Sequence, residues 1–153
     1  MLTEKLAALN RFISKFADRC RPFYQLFRKW KGFQWDEECE KAFQDLKEYL
    51  TQAPMLTAPD LGEDLFMYLL VSNYVVNAVL LRDQGVQHPV YYISKTLVNA
   101  ETKYLPLKKL VLALVHATRK LPHYFQAHTL YVLTGYPLLS LLKRFDFTGR
   151  IAK

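Results

Sequence analysis

The side chains with most chemistry to offer are cations. Arg11, Lys15 and Arg19 recur at a spacing of four, and Lys103, Lys108, Lys109, Arg119 and Lys120 gather around a later apolar stretch. Such stripes neutralise phosphates without reading sequence. Taken alone, though, the first is also what the solvated face of an amphipathic helix looks like. Carboxylates are scarce where a hydrolytic centre would need them: after residue 64 only Asp83, Glu101 and Asp146 remain. Hard divalent cations are held by several converging carboxylates. These three read instead as surface charges, in a turn, ahead of a helix and in a late loop. No G-x-S-x-G nucleophile elbow occurs. His88, His116, His123 and His128 lack the i, i+4 spacing of a metal-binding helix, and His116 reads as a solvated member of the basic stripe. The five glycines lie too far apart to build a phosphate-cradling loop.

Charge is unevenly distributed within a net +7. Residues 1–35 hold eight Lys or Arg against two acids, residues 36–64 hold nine acids against two bases, and residues 65–153 hold eleven bases against three acids. A basic balance of this size points to a polyanionic partner. With 153 residues, 51% hydrophobic and 23% charged, the chain can bury a core and is not disordered. Cys20 and Cys39 form neither a metal pair nor a disulfide framework, so free thiols of an intracellular protein, cytoplasmic or nuclear, are expected. Glu4 and the polar residues around it do not suit a secretory signal. Residues 65–81 are uncharged but carry Ser72, Asn73 and Asn77 among Val and Tyr, which predicts two strands and no membrane span.

The positioning elements follow from periodicity. Leu6, Leu9, Ile13 and Phe16 predict a helix over residues 3–19. Pro22 suits the first turn of a second helix, with Phe23, Leu26, Phe27 and Trp30 on one face and Gly32 as its breaker. Asp36 is a plausible N-cap of a third, followed by Glu37, Glu38 and Glu40 at the positive dipole end. Cys39, Ala42, Phe43, Leu46 and Leu50 form its stripe, and Pro54 ends it. Strands are expected over residues 65–71, 74–81, 89–94 and 128–134. The longest helix runs to Leu121, where Pro122 stops it, and a short helix covers 137–143. Leu107, Leu110, Leu114, Ala117 and Leu121 share its apolar face; Lys108, Lys109, His116, Arg119 and Lys120 share the opposite one. Short links make the first three strands antiparallel, and the helix before the fourth implies a crossover and a mixed sheet. Most of Tyr91, Tyr92, Tyr104, Tyr124, Phe125, Tyr131 and Tyr136 read as core.

Residues 33–56 (FQWDEECEKAFQDLKEYLTQAPML) and 90–138, with AETKY, ALV, HYFQAH, VLT and the closing GRIAK, resemble a gypsy-type LTR-retrotransposon Pol polyprotein, most closely the plant Tat-type elements. The similarity covers nearly the whole chain. It implies an α+β fold: a helical reverse-transcriptase thumb or connection remnant at 1–56, then at 57–153 an RNase H-like domain of order strand-strand-strand-helix-strand-helix, stopping before the family's last strand and helix. Active members cut the RNA of RNA–DNA hybrids with two magnesium ions held by carboxylates. The resemblance places the first carboxylate in a T-D-A-S run, here LLVS with Leu70. The second belongs to an E-K-E-L run, here LKKLVL with Leu110 at the catalytic place and Lys108 at the other acidic one. The third follows V-x-T, where this chain has Gly135.

The expected protein is therefore catalytically degenerate, with no catalytic or metal-binding residue and no cofactor. It would be a connection-type module holding RNA–DNA hybrid or other nucleic acid without sequence specificity, alongside the rest of the Pol polyprotein. The expected contacts are the eight cations named above. An active magnesium-dependent RNase H and a vestigial or protein-interaction product are the alternatives.

Overall fold

The computed structural model describes residues 2–28 and 34–142. Trp30, Gly32, Asp146, the GRIAK run and the side chain of Phe27 lie outside what is described. The N-terminal periodicity does not make one helix. α1 (Leu2–Leu9) passes into a 3-10 turn, Asn10–Phe12, and α2 (Phe16–Arg19) restarts after Lys15, whose φ of 51° is left-handed. A left-handed residue ends an α-helix. Tertiary bonds hold the break: the Ser14 amide donates to the Tyr49 hydroxyl at 3.0 Å, and Arg19 Nε donates to the Ser14 carbonyl at 3.1 Å. The spacing that aligned Arg11, Lys15 and Arg19 on one helix face is therefore lost.

α3 (Arg21–Arg28) carries Pro22 in its first turn, as expected. α4 (Glu37–Gln52) starts where the cap signal put it, with Asp36 Oδ1 accepting from the Cys39 amide at 2.8 Å. Cys39 and Leu46 are buried, but Leu50 is exposed and Tyr49 takes its place in the core. Leu6, Ile13, Phe16, Cys20, Phe23 and Leu26 join them in one cluster.

The sheet is β1 (Leu65–Val71), β2 (Val75–Asp83), β3 (Gln87–Thr96) and β4 (Leu130–Leu133), in the order β3-β2-β1-β4. β1 and β2 are antiparallel, as are β2 and β3, while β4 runs parallel to β1. Mixed α+β architecture with this topology is what the element order implied. The β1–β2 turn closes on Ser72 Oγ, which accepts from the Val75 amide at 3.0 Å. The β2–β3 turn uses Gly85 at φ +86°, with its amide on Asp83 Oδ1 at 3.0 Å.

Between β3 and β4 lie α5 (Asn99–Thr102), α6 (Pro106–Lys120) and α7 (Pro122–Ala127), and α8 (Leu138–Leu142) follows β4. Pro122 ends α6 but also opens α7, because a proline at the first helical position forfeits no intrahelical bond. α6 packs across β1 and β2, burying Leu110, Val111, Ala113 and Ala117. Alternation along β1 points Leu65, Met67, Leu69 and Val71 at α6, and Phe66, Tyr68 and Leu70 at the other face.

The helical cluster and the sheet are joined through polar contacts. Buried Asn77 donates to Asp18 Oδ2 at 3.1 Å and accepts from Ser94 Oγ at 2.6 Å, while Ser94 Oγ accepts from the Ala17 amide at 2.9 Å. No described helix is long and apolar enough to cross a membrane.

Cys20 and Cys39 are both free and buried. Burial pushes the Cys20 thiol up to about 12 against the opposing effect of Arg19; burial, with the nearby Asp36, pushes Cys39 up to about 11. Both thiols are therefore expected to resist alkylation at pH 8 in the native protein and to react on unfolding, as counted by mass spectrometry. In the unfolded chain they lose protons near pH 9 while the folded chain retains them. Stability should therefore fall as pH rises from 9 toward 12.

Candidate nucleic-acid interface

Tertiary packing, rather than a single helix face, brings basic groups together. Arg11, in the 3-10 turn, meets Lys120, at the end of α6, across a cleft of about 200 Å³ that His116, Tyr91 and Asn10 also line. The Arg11 guanidinium lies 4.8 Å from the Phe12 ring centroid and 5.4 Å from that of Tyr91. Aromatic neighbours hold a guanidinium in place while leaving its N–H groups available for phosphate. Among the described residues no carboxylate lines the cleft.

His116 is half-buried rather than solvated. Burial, then the charges of Lys120 and Lys95, lowers its pKa against the opposing charge of Glu101. It is therefore neutral at pH 7, and the cleft's positive charge comes from Arg11 and Lys120. Because the neutral form is favoured in the fold, His116 contributes stability above pH 6.5 that is lost on acidification. His116 and Tyr91 were missed as members of a cluster, because residues distant in the chain meet only through the packing of the N-terminal turn on β3 and α6.

The remaining cations differ in what they offer. Lys15, Lys103, Lys108 and Arg119 are exposed, and Lys108 and Arg119 return to one face of α6 about three turns apart. Arg19 is half-buried, with its guanidinium 4.3 Å from the Tyr49 ring centroid and its Nε on the Ser14 carbonyl.

Lys109 does not lie on the basic face. It is 5% exposed, and its Nζ donates to the carbonyls of Ser72 and Asn73, each at 3.1 Å. α6 is packed on two sides, so the position next to Leu110 also turns inward, and the ammonium reaches the carbonyl-rich β1–β2 turn. Charge-assisted bonds of this kind are worth about 1.5–3 kcal/mol each when a partner is lost. Lys109→Met is accordingly expected to destabilise the fold by about 1–3 kcal/mol in urea titrations while Lys108→Met leaves stability unchanged.

The three positions at which the sequence resemblance expects carboxylates are placed differently from one another. Leu110 is 2% exposed, clustered with Val111 and Leu138 and packed by Leu69, Val71 and Leu114. Leu70, 49% exposed, lies on the opposite sheet face with Tyr68 and pairs with Asn77 of β2, outside the core that α6 covers. Gly135 is exposed, with open space where a Cβ would stand. Asp83 caps Gly85; Glu101 is more than a surface charge, since it binds Lys95 Nζ and the Val98 amide. Among the described residues no group of three His, Cys, Asp or Glu could hold a metal ion.

Residues 35–132 match the family described as the RNase H-like domain found in reverse transcriptase. The Gag-Pol polyprotein of feline leukemia virus is 28% identical over 134 residues, 87% of this chain and 8% of that protein. The retrovirus-related Pol polyprotein from transposon 297 of Drosophila melanogaster is 31% identical over 116 residues, 75% of this chain and 11% of that protein. The chain thus spans about a tenth of the length of these curated relatives. Among solved structures, a foamy viral protease–reverse transcriptase in complex with RNA/DNA hybrid superposes with a TM-score of 0.77 at 21% identity, covering 99% of this chain and 22% of the other. A foamy viral protease–reverse transcriptase in complex with double-stranded DNA gives 0.74 at 21% identity, covering 92% and 25%. Matched across more than half its length, from the Asp36-capped helix through β4, this chain belongs to the RNase H-like domains of reverse transcriptases found in retroviral and retrotransposon Pol polyproteins.

Proposed function

We propose that the chain is a catalytically degenerate RNase H-like domain of a gypsy-type LTR-retrotransposon Pol polyprotein, of the plant Tat type. In this reading residues 1–56 are a thumb or connection remnant, residues 57–153 are the RNase H-like domain, and the whole acts as a connection-type module that holds nucleic acid. The observation that carries the non-catalytic half is the burial of Leu110 among leucines and valines. A carboxylate there would be desolvated without a counter-charge on its own side of the cluster. Leu70, Leu110 and Gly135 offer no side-chain oxygen, and the nearby Lys109 ammonium would repel a dication. The residues present do not fit a pair of magnesium ions.

The nucleic-acid half is supported by the Arg11–Lys120 cleft. The similar foamy viral proteins, described in complex with double-stranded DNA and with RNA/DNA hybrid, add to that support. The contacts in this reading are Arg11, Lys15, Lys103, Lys108, Arg119 and Lys120, with Arg19 in part; Lys109 is omitted because its donors are engaged. Arg11→Ala with Lys120→Ala is expected to weaken hybrid binding about tenfold or more, equally for hybrids of unrelated sequence, in fluorescence anisotropy. An unchanged affinity would remove the cleft from the interface.

A further inference from the structure

A second cleft, outside the basic surface, lies between the N-terminal helices and the β1–β2 and β3–α5 connections. Its volume is about 670 Å³, within the usual range of about 300–1,000 Å³ for small-molecule sites. Its mouth carries a cation and an aromatic ring: the Arg21 guanidinium lies 4.1 Å from the centroid of Tyr74, which is 48% exposed. Gln25, Thr96 and Asn99 also line it, and their side chains make no hydrogen bond to another described residue. Asn10, also lining it, holds a buried Oδ1 with no hydrogen-bond partner, the one such side-chain atom among the described residues. Native folds seldom leave a buried acceptor unpaired without a reason. Among the described residues no acid lines the cleft.

We propose that this cleft binds a nucleoside phosphate, either free or as an unpaired nucleotide of a strand. The Arg21–Tyr74 pair supplies a platform for a planar base, and the guanidinium fork supplies paired donors for phosphate. The amides of Gln25 and Asn99 and the Thr96 hydroxyl suit the edges of a base and ribose. A simple anion would leave the ring and most of the volume unused. Asn10 and Ser94 line both clefts, but Arg21 and Tyr74, which carry the proposal, do not line the Arg11–Lys120 cleft.

The test is titration of the isotopically labelled 153-residue chain with three probes: adenosine 5′-monophosphate, inorganic phosphate and a short single-stranded oligothymidylate, followed by amide NMR. The monophosphate, the oligonucleotide or both are expected to shift signals around Arg21, Tyr74 and Asn99, with phosphate alone at least about tenfold weaker. Response to the oligonucleotide alone assigns the site to a strand-borne nucleotide. Arg21→Gln and Tyr74→Ala should each weaken binding about fivefold or more, while Tyr74→Phe retains it and all three variants hold hybrid duplex as the parent does. The proposal is overturned if neither nucleotide probe moves those signals at millimolar concentration, if phosphate binds as tightly as the monophosphate, or if the variants leave affinity unchanged. Loss of duplex binding in the Arg11 and Lys120 variants, with nucleotide binding intact, would separate the two sites.

Discussion

Leu110→Glu is expected to destabilise the domain by about 3–5 kcal/mol, read from the shift of the urea midpoint. Two effects add. The variant loses a leucine packed at 2% exposure against Leu138, Val111, Leu69 and Val71, and it places a carboxylate in that cluster. Lys109 is the next residue, but its ammonium already serves the Ser72 and Asn73 carbonyls. Drawing it toward a glutamate would open those bonds. Leu70→Asp makes the contrasting variant: at 49% exposure on the other sheet face it should change stability by less than about 1 kcal/mol. If Leu110→Glu proved neutral, the surroundings of Leu110 would be wetter and more polar than its burial indicates, and packing would not explain a leucine at this position.

Hybrid affinity should collapse with salt. Each neutralised phosphate contributes about −0.9 to the slope of log affinity against log salt, so about five contacts imply a loss of roughly 500-fold for a fourfold rise in concentration. Six exposed cations, Arg11, Lys15, Lys103, Lys108, Arg119 and Lys120, are available to make them. Removing Arg11 and Lys120 together should flatten the slope by about two contacts' worth. A flat response in the parent chain would remove the polyanion role altogether, whatever the fate of the catalytic reading.

What the sequence disclosed was mostly local. The Asp36 cap, the acidic first turn of α4, the Ser72–Asn73 turn and the antiparallel hairpins depend on residues a few positions apart, and they stand where periodicity and turn chemistry put them. The parallel return of β4 followed from the intervening helix. The failures are tertiary. A smooth apolar period over residues 3–19 carries no sign of the left-handed turn at Lys15, which is held by Tyr49 from a different helix. β1 reads LFMYLLV, apolar at every position, so alternation could not say that Leu70 faces away from α6 while Leu69 and Val71 face it. By charge alone Lys109 belongs on the solvated face; burial of a lysine is legible only when the carbonyls it satisfies are seen. The meeting of Arg11 with Lys120 and His116 likewise needs the coordinates, since their elements lie far apart in the chain and both pack on β3. The family resemblance added what local reasoning could not, the alignment of Leu70, Leu110 and Gly135 with acidic positions.

The most direct measurement is a native gel of end-labelled RNA–DNA hybrid incubated with the purified chain and magnesium at low salt, with the RNA then resolved under denaturing conditions. A retarded complex from which full-length RNA is recovered is the expected outcome. Shortened RNA that disappears when chelator is added would contradict it, because cleavage would require a carboxylate cage where buried Leu110 stands.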